Sequence, residues 1–177
     1  MIFFSIIIIG TIGTLLHFVY EWSHHNKYVA MIAAVNESTW EHIKIGMTPT
    51  IVYGIYYGLK NGFGDNFIFS ESLCLLTIIL LIPILFYSYT IVTKKSVLWI
   101  DVVCFFATIV CSQTVFYYFI TIDKLPIIYT IIGCILFIME FGAYLYLTLN
   151  PMKNFIFKDP ITHKYGLKGH PCHHHKH

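Results

Sequence analysis

Arginine is absent from this sequence, and charge of either sign is scarce. All 11 basic side chains are lysine, 9 side chains are acidic, and charged residues are 11% of the 177 residues. A soluble domain carries about a quarter, so a soluble globular class is excluded. The lysines are scattered or sit beside apolar runs, and the net charge of only +2 leaves no basic face for nucleic acid. An arginine-free chain rich in Ile, Phe, Tyr and Asn points to an AT-rich genome and hence to a bacterium. A disulfide framework is also missing, because Cys74, Cys104, Cys111 and Cys134 fall in apolar runs and only Cys172 lies in a polar one. The opening Met1-Ile-Phe-Phe-Ser-Ile-Ile-Ile-Ile lacks a positive leader and a small-residue cleavage site, so it is expected to stay as a helix. No His-Glu-x-x-His, Gly-x-Ser-x-Gly or P-loop is present, and Ser38 has no triad context. There is no internal repeat and no sign of a second folded domain.

What the chain has in quantity is oil. Hydrophobic residues make up 57%, and the mean hydropathy is +0.71. The expected fold class is all-α, a polytopic transmembrane helix bundle. A bilayer core of about 30 Å needs roughly 20 apolar residues per helix, and Ile2 to Tyr20, Leu73 to Val92, Val97 to Ile122 and Ile127 to Leu149 meet or approach that length. A fifth helix, from about Asn36 to Leu59, brings the expectation to about five spans. Tyr28 to Val35 is too short to cross, and reads as a broken or re-entrant piece before the second span. Residues 1–150 therefore form the bundle, and residues 151–177 a flexible, His-rich cytoplasmic tail.

Lysines orient the bundle, since cytoplasmic loops collect positive charge. With the N-terminus outside, the inner segments hold Lys27, Lys44, Lys94, Lys95, Lys153, Lys158, Lys164, Lys168 and Lys176. The outer loops hold only Lys60 and Lys124. A bacterial cell-membrane protein with a cytoplasmic C-terminus follows.

The stretch Asn36 to Lys44, Asn-Glu-Ser-Thr-Trp-Glu-His-Ile-Lys, interrupts the apolar pattern and is the expected functional site. Asn36 suits an N-cap, Glu37 the positive end of the helix dipole, and Pro49 a kink further on. Glu37, Trp40, Glu41 and Lys44 share a helical face, while His42 points about 100° away. Two carboxylates at that spacing repel unless a cation, a proton or a lysine stands between them. Two readings follow: an ion pair with Lys44 at a capped helix start, or a site in which Glu37 and Glu41 join residues of the first helix around a metal ion or shared proton.

That helix supplies them. Gly10, Gly13, Thr14, His17, Glu21 and His24 recur at spacings of three and four, forming one stripe with small residues for close approach and polar ones below. Interhelical hydrogen bonding, with an interfacial His24-His25 pair, is the plainer account. Asp101 heads the fourth helix, as a cap or as part of the site, with Cys104, Thr108 and Cys111 on its stripe. Glu140 lies within the fifth, where a lone carboxylate costs roughly 2.5 kcal/mol or more. The tail residues His170, Cys172, His173, His174, His175 and His177 would hold metal loosely.

By the lysine count His17, Glu21, Glu37, Glu41, His42 and Asp101 all fall in the cytoplasmic half. A divalent metal ion is the expected cofactor, Zn²⁺ foremost with Fe²⁺ and Mn²⁺ as alternatives, held by His17, Glu21 and His42 with Glu37 or Glu41 as general base. That reads as a hydrolase acting on a lipid or small amphipathic substrate. Proton- or metal-coupled transport through Pro49, Pro83 and Glu140 is the alternative, requiring a homodimer to build an alternating pathway, and a structural membrane subunit is the third.

The segment from His17 to Gly46, HFVYEWSHHNKYVAMIAAVNESTWEHIKIG, resembles the signature of a family of small bacterial integral membrane proteins of unknown function, its most specific part being the Asn-Glu-Ser-x-Trp-Glu-His core at Asn36 to His42. The resemblance implies a multi-span bacterial membrane protein and brings no activity. A weaker likeness is to the intramembrane metal hydrolases of the ceramidase and progestin-receptor type, with a Glu/Asn motif at a helix start and intramembrane histidines. The chain departs from those in having about five spans instead of seven and no histidine between His42 and His163.

Overall fold

The computed structural model describes residues 1–170. Five long helices run through it: α1 (Ile2–Trp22), α2 (Thr39–Asn61), α3 (Phe67–Thr93), α4 (Leu98–Thr121) and α5 (Ile127–Leu149). Short 3-10 turns lie at Val29–Met31 and Gly166–Gly169. The described residues contain no strand, only an isolated bridge between Lys158 and Tyr165. α1, α3, α4 and α5 are long and apolar enough to cross a membrane. In lipid a helix satisfies its own backbone, so uniformly apolar runs form helices and little else. At 1.5 Å per residue the shortest of them, with 21 residues, is about 32 Å long. Phe3, Val92, Ile138 and Met139 remain exposed on their outer faces.

The second helix differs from the other four. It has 23 residues, but its first turns carry Thr39, Trp40, Glu41 and Lys44, all buried. Burial inside protein shields this polar start from whatever surrounds the bundle. α2 packs on α1 and α3, α3 on α4, and α4 on α1, closing a ring, while α5 lies against α3. Glycines make the ring tight: a Cβ at Gly13 would sit 2.6 Å from the Phe105 ring and 2.9 Å from the Ile45 carbonyl oxygen. At Gly133 it would meet the Phe69 backbone at 2.7 Å, which brings α5 against α3 and lets Ser72 Oγ donate to the Gly133 carbonyl at 2.7 Å.

The break before the second helix is present as an irregular segment over residues 23–38 around the Val29–Met31 turn. Ala33, Ala34, Val35 and Asn36 within it are buried. Helix α2 begins at Thr39 with Ser38 as its cap residue, so Asn36 is not the N-cap and Glu37 precedes the helix. Asn36 Oδ1 instead accepts from the Ser38 N–H at 2.8 Å, closing a side-chain turn just upstream.

The tail is docked. Phe157 stacks on Trp40 with ring centroids 5.0 Å apart, and the Trp40 backbone N–H donates to the Ile156 carbonyl at 3.0 Å. Asp159 is fully buried, accepting from the Glu37 N–H at 2.9 Å and from Thr162 Oγ1 at 2.7 Å. The flexibility expected of this segment is therefore not found over residues 151–170. Its polar groups pair with the unsatisfied backbone ahead of α2. Cys172, His173, His174, His175 and His177 lie outside the described residues.

Candidate metal centre

Three elements deliver one cluster. Late in α1, His17 points inward; the segment ahead of α2 carries Glu37; the first turn of α2 carries His42. His17 Nε2 lies 3.2 Å from Glu37 Oε1, and His42 Nε2 lies 4.0 Å from Glu37 Oε2. The two imidazoles are 5.6 Å apart between centroids. One donor atom from each side chain falls within 4.8 Å of the others, the grouping expected of residues that could hold a metal ion. Two donors on a tetrahedral zinc ion sit about 3.3 Å apart, so small side-chain rotations close the triad.

One hydrogen bond orients His42, while the His17–Glu37 bond is the one a metal ion would replace. His42 Nδ1 is 3.0 Å from the Ser38 carbonyl, which can only accept, so Nδ1 carries a proton and Nε2 is the nitrogen that a metal ion beside Glu37 would take. The Glu37 carboxyl is held below its usual value chiefly by the hydrogen bond from His17, against the opposing pull of burial. At neutral pH it is a carboxylate. Two imidazoles and one carboxylate with an open side is the donor set of catalytic zinc and of non-haem Fe(II) sites.

The open side faces a cleft of about 170 Å³ between α1, α2 and the start of α4, with Asp101 on its wall. Tyr89 and Ser96 hydroxyls donate to the Asp101 carboxylate and fix it there. Phe18, Leu98, Val102 and Phe105 make the rest of the wall apolar.

Residues 1–167 match the Family of unknown function DUF6512. The chain belongs to this family. No curated protein and no solved structure matches it. The DUF6512 match takes in all five long helices and the docked tail up to Leu167. The segment holding Glu37 in place therefore lies within the family's own extent.

Not every expected site residue reaches this centre. Glu21, one turn beyond His17, faces His170 at 3.5 Å and groups with His25 and His170 as a second set able to hold a metal ion. His170 Nδ1 bonds the Val35 carbonyl at 2.9 Å, and the His25 and His170 rings are 4.5 Å apart. Glu41 turns the other way: its Oε2 lies 2.6 Å from Lys44 Nζ and accepts from the Val35 N–H at 3.1 Å. Of the two readings of Glu41, this geometry matches the ion pair. Asn36 braces the docked tail, donating through Nδ2 to the Gly166 carbonyl at 2.9 Å.

Glu140 stands apart on α5, buried, with neither carboxyl oxygen hydrogen-bonded among the described residues. Its neighbour in charge is Glu71 on α3, which is 3% exposed. Glu71 falls two residues ahead of the apolar run from Leu73 to Val92, and the hydropathy pattern passed over it although it lies within α3. Asp159 was passed over too; the polar tail gave no local signal that its carboxylate meets a backbone N–H at Glu37, 122 residues away.

Proposed function

We propose that this protein is a metal-dependent hydrolase of the membrane, acting on an acyl ester or amide of a lipid-like substrate. The lysine-rich end of the bundle then faces the cytoplasm of a bacterial cell. The observation that carries the reading is the convergence of His17, Glu37 and His42 from three separate elements beside an apolar cleft. A divalent cation there, zinc first among the candidates, would activate water at neutral pH. His17, Glu37 and His42 would hold it as ligands, and Asp101 would take the part of general base. The water oxygen bonds to the acyl carbon, the acyl–oxygen or acyl–nitrogen bond breaks, and the proton passes through Asp101 to the leaving group. Phe18, Val102 and Phe105 seat the acyl chain. Glu41 has no catalytic part, since its carboxylate neutralises Lys44.

The test is release of free fatty acid from ester and amide lipids in mixed micelles by full-length, zinc-loaded protein, followed by mass spectrometry. Release that disappears in His42→Ala and with a chelator supports the reading. Absence of release from metal-loaded, folded protein contradicts it.

A second reading rests on Glu71 and Glu140. Two buried carboxyls close enough to feel each other's charge, with no hydrogen-bond partner for Glu140 among the described residues, suit a proton carrier in a transporter. Proton flux into vesicles that Glu140→Gln abolishes and His42→Ala leaves intact would favour transport.

A further inference from the structure

A separate cavity of about 750 Å³ lies between the Val29–Met31 turn, the last turn of α5 and the docked tail. Its rim carries Lys27, Lys153, Lys164 and Lys168, all exposed. Its floor is the buried Lys44–Glu41 pair, which is neutral as a unit. None of the four rim lysines forms an ion pair among the described residues. Four positive charges from three stretches of chain thus surround one hollow whose only carboxylate among the described lining residues, Glu41, is already paired with Lys44. Such an arrangement repels itself and is relieved by an anion.

The wall adds an independent sign of a ligand. Thr148, a residue of this wall, has its Oγ1 shielded from solvent and without a hydrogen-bond partner among the described residues, although helix-borne threonines in this chain, such as Thr77 and Thr108, bond back to a carbonyl. Buried in this way the hydroxyl does not face the open cavity, and a rotation about χ1 would turn it toward an acceptor held by the lysines. At the same rim Leu149 and Leu167 are 63% and 52% exposed, where the outer face of α5 ends. An apolar lip next to a basic hollow at the end of a spanning helix fits a molecule with a charged head and an oily body.

We propose that this cavity binds a phosphate-bearing headgroup, held by Lys27, Lys153, Lys164 and Lys168, with Thr148 donating from the wall. Ammonium groups recognise phosphate as a compact anion, and the volume leaves room for the group esterified to it. The site shares no proposed ligand with the His17, Glu37 and His42 centre. Loss of either function therefore leaves the other measurable.

Native mass spectrometry of the full-length protein in detergent would measure binding of short-chain phosphatidylglycerol, short-chain phosphatidylcholine, glycerol phosphate and inorganic phosphate. The comparison variants are Lys153→Gln/Lys164→Gln/Lys168→Gln, Thr148→Val, and Lys94→Gln/Lys95→Gln as a control at exposed lysines away from the cavity. Phosphatidylglycerol is expected to bind at least about tenfold tighter than phosphatidylcholine. The triple variant loses that preference, Thr148→Val weakens it, and the control keeps it. If only glycerol phosphate or inorganic phosphate shows the same lysine dependence, the phosphate site stands and its ligand is a soluble ester. A preference that survives in the triple variant, or is lost equally in the control, overturns the proposal. Circular dichroism shows whether each variant is folded.

Discussion

Lys44 Nζ and Glu41 Oε2 meet at 2.6 Å, with the two side chains 1% and 5% exposed. Lys44 also donates to the Ala30 carbonyl at 2.7 Å, and Glu41 accepts from the Val35 N–H. The pair therefore fastens the irregular segment over residues 23–38 to the first turn of α2. Removing one partner strands a charge, so Glu41→Gln or Lys44→Met should each cost about 3–5 kcal/mol. The double variant should recover a large part of that loss. Thermal unfolding in detergent measures all three, and additive losses would show that the two charges do not depend on each other.

Asp159 holds Glu37 from behind through the Glu37 N–H. Outer contacts of this kind typically change metal affinity by about 10–100-fold. Asp159→Ala is expected to weaken zinc binding by about that factor while the helices persist. Calorimetric titration checks the first and circular dichroism the second. Unchanged zinc affinity would separate the docked tail from the centre.

Helix α5 touches the ring where Gly133 meets the Phe69 backbone. A methyl group there has no flexible neighbour to push aside, so Gly133→Ala should cost about 1–3 kcal/mol. Gly142→Ala, on the same helix with nothing within 4 Å of the added carbon, should be neutral or slightly stabilising. Their difference in unfolding temperature reads out the α3–α5 contact.

Glu140 has two buried carboxyl oxygens without a hydrogen bond among the described residues. Replacing such a group with an apolar one of similar length usually relieves a penalty. Glu140→Met is expected to raise stability by roughly 1–3 kcal/mol. A loss of stability would mean that the carboxyl has a partner in the membrane.

Hydropathy made the helices legible because a spanning segment must satisfy its own backbone, and the four apolar runs stand where α1, α3, α4 and α5 stand. α2 was legible as an anomaly: the run from Asn36 to Lys44 is too polar for lipid. Which of its side chains face which partner was not legible. Helical spacing put Glu37 and Glu41 on one face, but Glu37 precedes the helix, so the two carboxylates point to different neighbours. Glu21 and His17, a turn apart on α1, likewise meet different partners, because His170 reaches Glu21 from the far end of the chain. Contacts such as Asp159 with Glu37 depend on long-range docking of a polar segment, and no local pattern encodes them.

The central claim is tested most directly by elemental mass spectrometry of the purified full-length protein, with Cys172, His173, His174, His175 and His177 replaced by serine to remove adventitious ligands. His17→Ala, Glu37→Gln, His42→Ala and Glu21→Gln variants are measured beside it. The account predicts about one equivalent of a divalent transition metal, lost in the first three variants and retained in Glu21→Gln. Folded protein without metal, or metal that survives Glu37→Gln and is lost with Glu21→Gln, would contradict it.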